Sequence, residues 1–301
     1  MPILRDEKLP EDLVERLQYI ELFTSRAVRS ALLGDYKSRT RGQGFNFDQH
    51  KKYQEGDDFR QIDWNVFARL QEVFVKKNLE DKQLEVVVVA DLSRSMELVT
   101  NSLSKKEVLF ELTAALTFSA VADQIGAGLL VFADKIEDYI APAKGRRQVW
   151  KILEQLWNLS PGTVDTNLGL PLEFLHTRLK KSSLIFYLSD FVGKKNLFHS
   201  PYLKMVTKKH DLVPVVIEDQ LESVFPSTRG FVRIRDLESN KEVTVRTSPK
   251  KQEIYNQQMQ QRRTELQSAF YRLGLDHIWV RSDQPYINTL LQFFLNRKRR
   301  R

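Results

Sequence analysis

Asp91, Ser93 and Ser95 stand at alternate positions directly after a run of β-branched residues, Leu84 to Ala90 (LEVVVVA). On an extended turn, alternate side chains project the same way. One carboxylate and two hydroxyls then face a common point. Hard oxygen ligands of this kind suit Mg²⁺, Mn²⁺ or Ca²⁺. Few protein charges at the cation leave it electrophilic, and an acidic residue from another protein could complete its shell. Two further segments carry the same chemistry. The loop SPGTVDTN holds Thr163, Asp165 and Thr166, and Ser189-Asp190 follows a second apolar run, SLIFYL. The same side chains could instead satisfy backbone N–H groups in strand-to-helix turns, as Asp and Ser often do.

The elements that must position these residues alternate along the chain. Strands are expected at 72–77, 84–90, 128–132, 135–141, 183–188, 212–217 and 277–280. Helices are expected at 10–33, 105–123, 148–159, 168–179, 201–209, 249–273 and 285–297. Ser104 with Glu107 makes a capping box at the start of the second helix. Such alternation implies an α/β fold with a doubly wound, mostly parallel sheet covered on both faces. In such a sheet, ligands bind beyond the carboxyl ends of the strands, near the point where strand order reverses. Asp91 to Ser95 and Ser189-Asp190 follow strands directly, and SPGTVDTN, in the loop after the helix at 148–159, is expected at the same edge. Two stretches break the alternation. Residues 35–65 are polar and dense in charge and read as turns and short strands. Residues 230–246 alternate Val232, Ile234, Val243 and Val245 around a Ser-Asn turn, an inserted β-hairpin.

Composition excludes several functions. The 301 residues contain no cysteine, which removes disulfide scaffolds, cysteine zinc sites, thiolate catalysis and iron–sulfur ligation. The five histidines show no metal-ligand spacing. There is no P-loop, no G-x-S-x-G elbow and no G-x-G-x-x-G at the first strand. The charged N-terminus lacks the apolar core of a signal peptide, and no run is long enough for a membrane span, so a cytoplasmic protein is expected. The net charge is +8, but basic residues are scattered except for the block Arg297 to Arg301. A scattered excess reads as solvated surface and disfavours nucleic acid as the partner.

The D-x-S-x-S motif, a mid-domain Thr and an Asp after a later strand resemble the metal-ion-dependent adhesion site (MIDAS) of von Willebrand factor A domains. Residue by residue, Asp91, Ser93 and Ser95 match the first motif, and Asp190 matches the later Asp. Thr166 fits the loop-into-helix position, with Thr163 as the alternative. Upstream, Tyr53-x-x-Gly56-Asp57-Asp58-x-Arg60-x-Ile62-Asp63-Trp64, then Ala68-Arg69 and Val75-Lys76, resembles the signature of the prokaryotic DUF58 family.

The resemblance implies a von Willebrand factor A-like domain over 84–301, with the hairpin inserted at about 226–247, and an N-terminal helix and signature segment over 1–83 packing on it. It implies a metal site of Asp91, Ser93, Ser95, Thr166 and Asp190 holding Mg²⁺ (or Mn²⁺ or Ca²⁺). It also implies a non-enzymatic adaptor that works with a MoxR-type AAA+ ATPase, or another protein presenting an acidic residue, in assembly or maturation of a complex. A Mg²⁺-dependent phosphoester hydrolase at the same site is the enzyme alternative, and a basic nucleic-acid-binding protein is the other. Haloacid dehalogenase-type phosphatases resemble D-x-D-x-[ST] at this place, and Ser93 stands where their general acid would be. The Gly56–Trp64 segment is expected to pin the N-terminal arm to the sheet by ion pairs, with Trp64 buried beneath. A second recognition surface is the other reading.

Overall fold

The computed structural model describes residues 9–27, 46–54, 57, 59–79, 84–98, 103–160, 166–192, 197–222, 225, 230–235 and 242–299. Among the described residues the strands are β1 (Asn46–Lys52), β2 (Phe74–Leu79), β3 (Glu85–Asp91), β4 (Gly126–Phe132), β5 (Ile136–Ala143), β6 (Ser183–Ser189), β7 (Asp211–Glu218), β8 (Phe231–Arg235), β9 (Glu242–Arg246) and β10 (Ile278–Arg281). The helices are α1 (Glu11–Ala27), α2 (Trp64–Leu70), α3 (Lys105–Ala122), α4 (Arg146–Asn158), α5 (Leu170–Arg178), α6 (Tyr202–Lys209), α7 (Pro249–Arg272) and α8 (Tyr286–Arg299).

Six strands form the main sheet in the order β10-β7-β6-β3-β4-β5, parallel throughout except for β5. The α/β class and the mostly parallel sheet are as the sequence implies. From β3 the chain builds outward through β4 and β5, then returns to the other side of β3 to build β6, β7 and β10. Strand order therefore reverses between β3 and β6. Asp91 ends the first of these strands and Asp190 follows the second.

The apolar runs divide cleanly by pleat. Val86, Val88 and Ala90 face one cluster, and Val87 and Val89 the other. The first cluster packs under α1, α3, α4 and α8, the second under α5, α6 and α7. The β4–β5 edge carries a bulge between Ala127 and Leu129. A Cβ at Gly128 would lie 2.9 Å from the Ile140 carbonyl oxygen and from the Pro142 nitrogen, so only glycine fits this approach.

The hairpin insertion is present as β8 paired with β9, and β1 pairs with β2. The expected Ser-Asn turn lies outside the described residues, as do residues 28–33 of the expected first helix. Two expectations need correction. First, Trp64, expected to be buried, begins a helix, α2, between the polar segment and β2. Asp63 caps it, accepting from the N–H groups of Asn65 and Val66 at 3.0 and 3.3 Å. That helix buries none of its residues, and Trp64 is 64% exposed rather than buried. The capping Asp63 goes inside instead, because it carries the two hydrogen bonds. Second, the basic block does not begin with a free arginine. Arg297 is buried, its Nη2 2.6 Å from both carboxylate oxygens of Asp211 and its Nε 3.0 Å from Asp276. No described helix is long and apolar enough to cross a membrane.

Candidate metal centre

Asp91 is the last residue of β3, in register with Phe132 at the end of β4. It has no solvent exposure. Its Oδ1 accepts the Ser93 N–H at 2.9 Å and its Oδ2 the Ser189 hydroxyl at 2.6 Å. Ser189 in turn accepts the Phe191 N–H at 2.9 Å. One hydroxyl thus fastens the ends of β3 and β6 together. Burial, then the charge of Asp190, push the Asp91 carboxyl up to about 7, against the hydrogen bonds from Ser189 and Ser93.

Ser93 is extended, and a short 3₁₀ turn follows at Arg94–Glu97. The expected extended turn therefore stops at Ser93. Main-chain bonds from Met96 to Ser93 and from Leu98 to Ser95 tighten the rest. The two hydroxyls still share a side: Ser93 Oγ lies 3.0 Å from Ser95 Oγ.

Asp190 follows β6 and is buried. Its Oδ1 accepts the Val192 N–H at 2.9 Å, and its Oδ2 accepts from Lys105 Nζ at 2.7 Å. Ser95 also bonds to it. Burial opposes ionisation of Asp190. The Lys105 ammonium and these hydrogen bonds outweigh burial and hold its carboxyl below the usual carboxylate range. The two carboxylates of the centre are thus held in opposite senses, Asp91 toward the neutral acid and Asp190 toward the anion.

Thr166 stands near the end of β4. Its neighbour Asn167 donates its N–H to the Ala133 carbonyl at 3.0 Å, and Leu92 donates to the Phe132 carbonyl at 2.8 Å. The threonine loop and the serine loop are therefore both tied to the end of β4. Thr166 is 2% exposed, and its Oγ1 has no hydrogen-bond partner among the described residues. Thr163 and Asp165 lie outside the described residues. The structure places Asp91, Ser93, Ser95, Thr166 and Asp190 all at the carboxyl ends of the central strands. Among the described residues, no group of three or more His, Cys, Asp or Glu side chains is placed to hold a metal. The candidate set instead joins two carboxylates to three hydroxyls, a hard-oxygen set that fits Mg²⁺ chemistry.

Two residues of the centre were missed in the sequence. Lys105, in the first turn of α3, is fully buried and also reaches Glu222 at 2.6 Å. Burial opposes its charge, but Asp190 and Glu222 together raise its pKa above the ordinary lysine value. Glu222 itself is pushed up by burial and by Asp190, against the pull of Lys105. A lysine at a helix N-terminus runs against the helix dipole. That was a readable sign that a carboxylate must sit opposite. Glu222 lies just beyond the carboxyl end of β7, as Asp190 lies just beyond that of β6.

Residues 49–265 match the family model described as "Protein of unknown function DUF58". Uncharacterized proteins of Mycobacterium tuberculosis (strain ATCC 25618 / H37Rv) and Mycobacterium bovis (strain ATCC BAA-935 / AF2122/97) are each 22% identical to this chain over 299 residues. The match covers 99% of this chain and 93% of theirs. Among solved structures, the conserved hypothetical protein BatB from Bacteroides thetaiotaomicron is similar with a TM-score of 0.46 and 14% identity, over 72% of this chain and 100% of that one. An aerotolerance-related membrane protein from Bacteroides fragilis NCTC 9343 has a TM-score of 0.44 and 13% identity, over 72% of this chain and 100% of that one. With a match that runs over well more than half its length, the chain belongs to the DUF58 family.

Proposed function

We propose that Asp91, Ser93, Ser95, Thr166 and Asp190 hold a hard divalent cation, Mg²⁺ in the first place, and that the cation accepts a carboxylate from a partner protein. On this proposal the protein is a non-enzymatic, metal-dependent adaptor with a von Willebrand factor A-like fold. The DUF58 resemblance makes a MoxR-type AAA+ ATPase the leading partner, in assembly or maturation of another complex.

The observation that carries the proposal is the Thr166 hydroxyl, buried near the end of β4 with no hydrogen-bond partner among the described residues. Leaving a buried hydroxyl unsatisfied costs about 1–3 kcal/mol, and a cation at the rim would remove that cost. The electrostatics agree. Lys105 gives its hydrogen bonds to Asp190 and Glu222, while Asp91 is held toward its neutral form by burial. A cation would favour the ionised form of Asp91. Asp190, already anchored by Lys105, is suited to bind through an intervening water. Lys105 is held in its protonated form, so it is no general base for a hydrolase.

Calorimetric titration with Mg²⁺ and Mn²⁺ tests the site directly. Binding should be lost in Asp91→Ala and weakened about tenfold in Thr166→Ala, with circular dichroism showing both variants folded. Recovery of the AAA+ ATPase from the native cell should require Mg²⁺ and fail with the Asp91→Ala bait. Partner recovery unchanged by EDTA and by Asp91→Ala would overturn the proposal. Turnover of an aryl phosphate that Asp91→Ala abolishes would replace it with a hydrolase.

A further inference from the structure

We infer that the cavity next to the candidate metal centre is the second half of the same docking site, and that it takes a large apolar side chain from an acidic segment of the partner. The inference rests on the metal-bridge proposal and adds to it what the rest of the partner's segment must look like.

The cavity measures about 600 Å³, within the range of sites that bind ligands. It lies between Phe191, Phe198 and His199 on one side and the last turns of α7 on the other. Phe191, Phe198, Leu266 and Leu273 give it apolar walls, and Arg262 and Arg272 add positive charge. Glu265 on its lining is engaged by Gln261 at 2.8 Å. Leu273 is 39% exposed, and Arg272 is exposed beside it. The mouth is thus accessible and basic.

Two connections make the cavity continuous with the metal rim. Arg262 donates from Nη2 to the Asp190 carbonyl at 3.0 Å. Phe191, which forms part of the wall, is the residue directly after Asp190. It is held at φ 55°, in the left-handed region that a bulky residue rarely adopts. Its ring is fixed by Tyr187 and Phe270, each with centroids at 5.5 Å. The chain bends at Phe191 so that Asp190 faces the rim while the next side chain lines the cavity. A segment whose carboxylate meets the cation therefore has an apolar hole within a few residues' reach. The arginines beside that hole favour additional acid in the segment.

The occupant is thus a peptide segment with one carboxylate for the metal, a Phe-, Trp- or Leu-type anchor within a few residues of it, and further acid at the edge. Buried aromatic anchors of this kind dominate protein interfaces.

Selection of a displayed random-peptide library on the full chain in Mg²⁺ tests this, with Asp91→Ala, Ala269→Phe and Arg272→Glu as parallel baits. Ala269 lines the cavity, and a Phe there would fill it without touching the rim. The expected consensus pairs an acid with a large apolar residue. Ala269→Phe and Arg272→Glu should each weaken the selected peptide about tenfold or more, while their Mg²⁺ affinity by calorimetry stays within about twofold. A Mg²⁺-dependent acidic consensus with no apolar residue, indifferent to Ala269→Phe, would overturn the inference and leave the metal bridge standing. Peptides that bind the cavity equally well in EDTA would overturn the metal bridge and the continuity argued from it. Failure of any peptide to enrich, or Mg²⁺-dependent dimers that Ala269→Phe dissolves, would overturn the inference, the latter in favour of a second copy of the chain.

Discussion

α3 and α7 lie against opposite faces of one sheet and have opposite characters. α3 is apolar all round and buries most of its length between the sheet, α1 and α4. Its interior polar groups are satisfied within the helix: Thr113, Thr117 and Ser119 return their hydroxyls to the carbonyls of Leu109, Thr113 and Ala115 at 2.8, 2.7 and 2.7 Å. Around it, Trp157 and Trp150 from α4 meet Phe110 and Phe118 edge-on, and Arg16 of α1 pairs with Glu111. α7 is longer, yet it buries only Phe270 of its side chains and is otherwise rich in Gln, Lys and Arg. Buried on all sides, α3 is built for stability and for setting Lys105 against Asp190. α7 contributes little core and presents a long polar surface.

The comparison is most directly broken at Lys105. Lys105→Met would leave Asp190 and Glu222 facing each other without their ammonium. Removing one partner of a buried pair costs about 3–5 kcal/mol. Denaturant melts should show a loss of this size at neutral pH. The loss should shrink on acidification, because protonating Glu222, whose pKa is raised, relieves the repulsion. A loss independent of pH would show that Lys105 acts through packing alone.

Leu112→Ala is the purely apolar counterpart. Leu112 is fully buried in α3, and such truncations cost about 2–5 kcal/mol. An effect below the low end of that range would mean that α3 is not the rigid partner in the comparison.

A smaller effect is expected on the α7 side of the sheet, at His210 after α6. Its Nδ1 accepts the Ser183 N–H at 3.2 Å, and its Nε2 is buried with no partner among the described residues. Burial, with nearby Lys209 and His176, lowers its pKa from 6.5 to about 4. The folded protein therefore binds fewer protons than the unfolded chain between those values. The stability tied to neutral His210 is present above pH 6.5 and falls away as the pH drops toward 4. In His210→Asn, which keeps an acceptor in place of Nδ1, melting temperature should depend less on pH across that window. Identical pH profiles would exclude His210 as the titrating group.

Least of all is expected from Gln260→Ala on the exposed surface of α7. Stability should stay within about 0.5 kcal/mol. A larger loss would show that α7 carries more of the fold than its single buried side chain suggests.

Much of this arrangement is legible in the sequence. LEVVVVA and SLIFYL mark strands covered on both faces, and the Ser104 capping box marks the start of α3, formed as the spacing implies. Those strands are parallel neighbours, so the residues that follow them meet, and Asp91, Ser93, Ser95 and Asp190 group by their places after apolar runs. Pairing across sequence distance was not legible. Lys105 and Glu222 are 117 positions apart, and nothing local to either names the other. Nor was the exposure of Trp64. Apolar residues are buried only on average, and the stronger local signal was the cap at Asp63, which starts a helix whatever that helix covers. Arg297 shows the reverse error: it looked like part of a basic tail and is held inside by Asp211 and Asp276.

The two edges of the main sheet also constrain assembly. One edge, β10, has only four residues. The other, β5, carries Pro142 at the bulge opposite Gly128, together with Glu137 and Asp138. Short length, proline, charge and a bulge are the devices by which sheets resist pairing edge to edge. Neither edge is therefore a ready template for strand addition from another copy. Growth of this sheet into a continuous ribbon between molecules is disfavoured at both ends, and self-association through it should be weak even at high concentration.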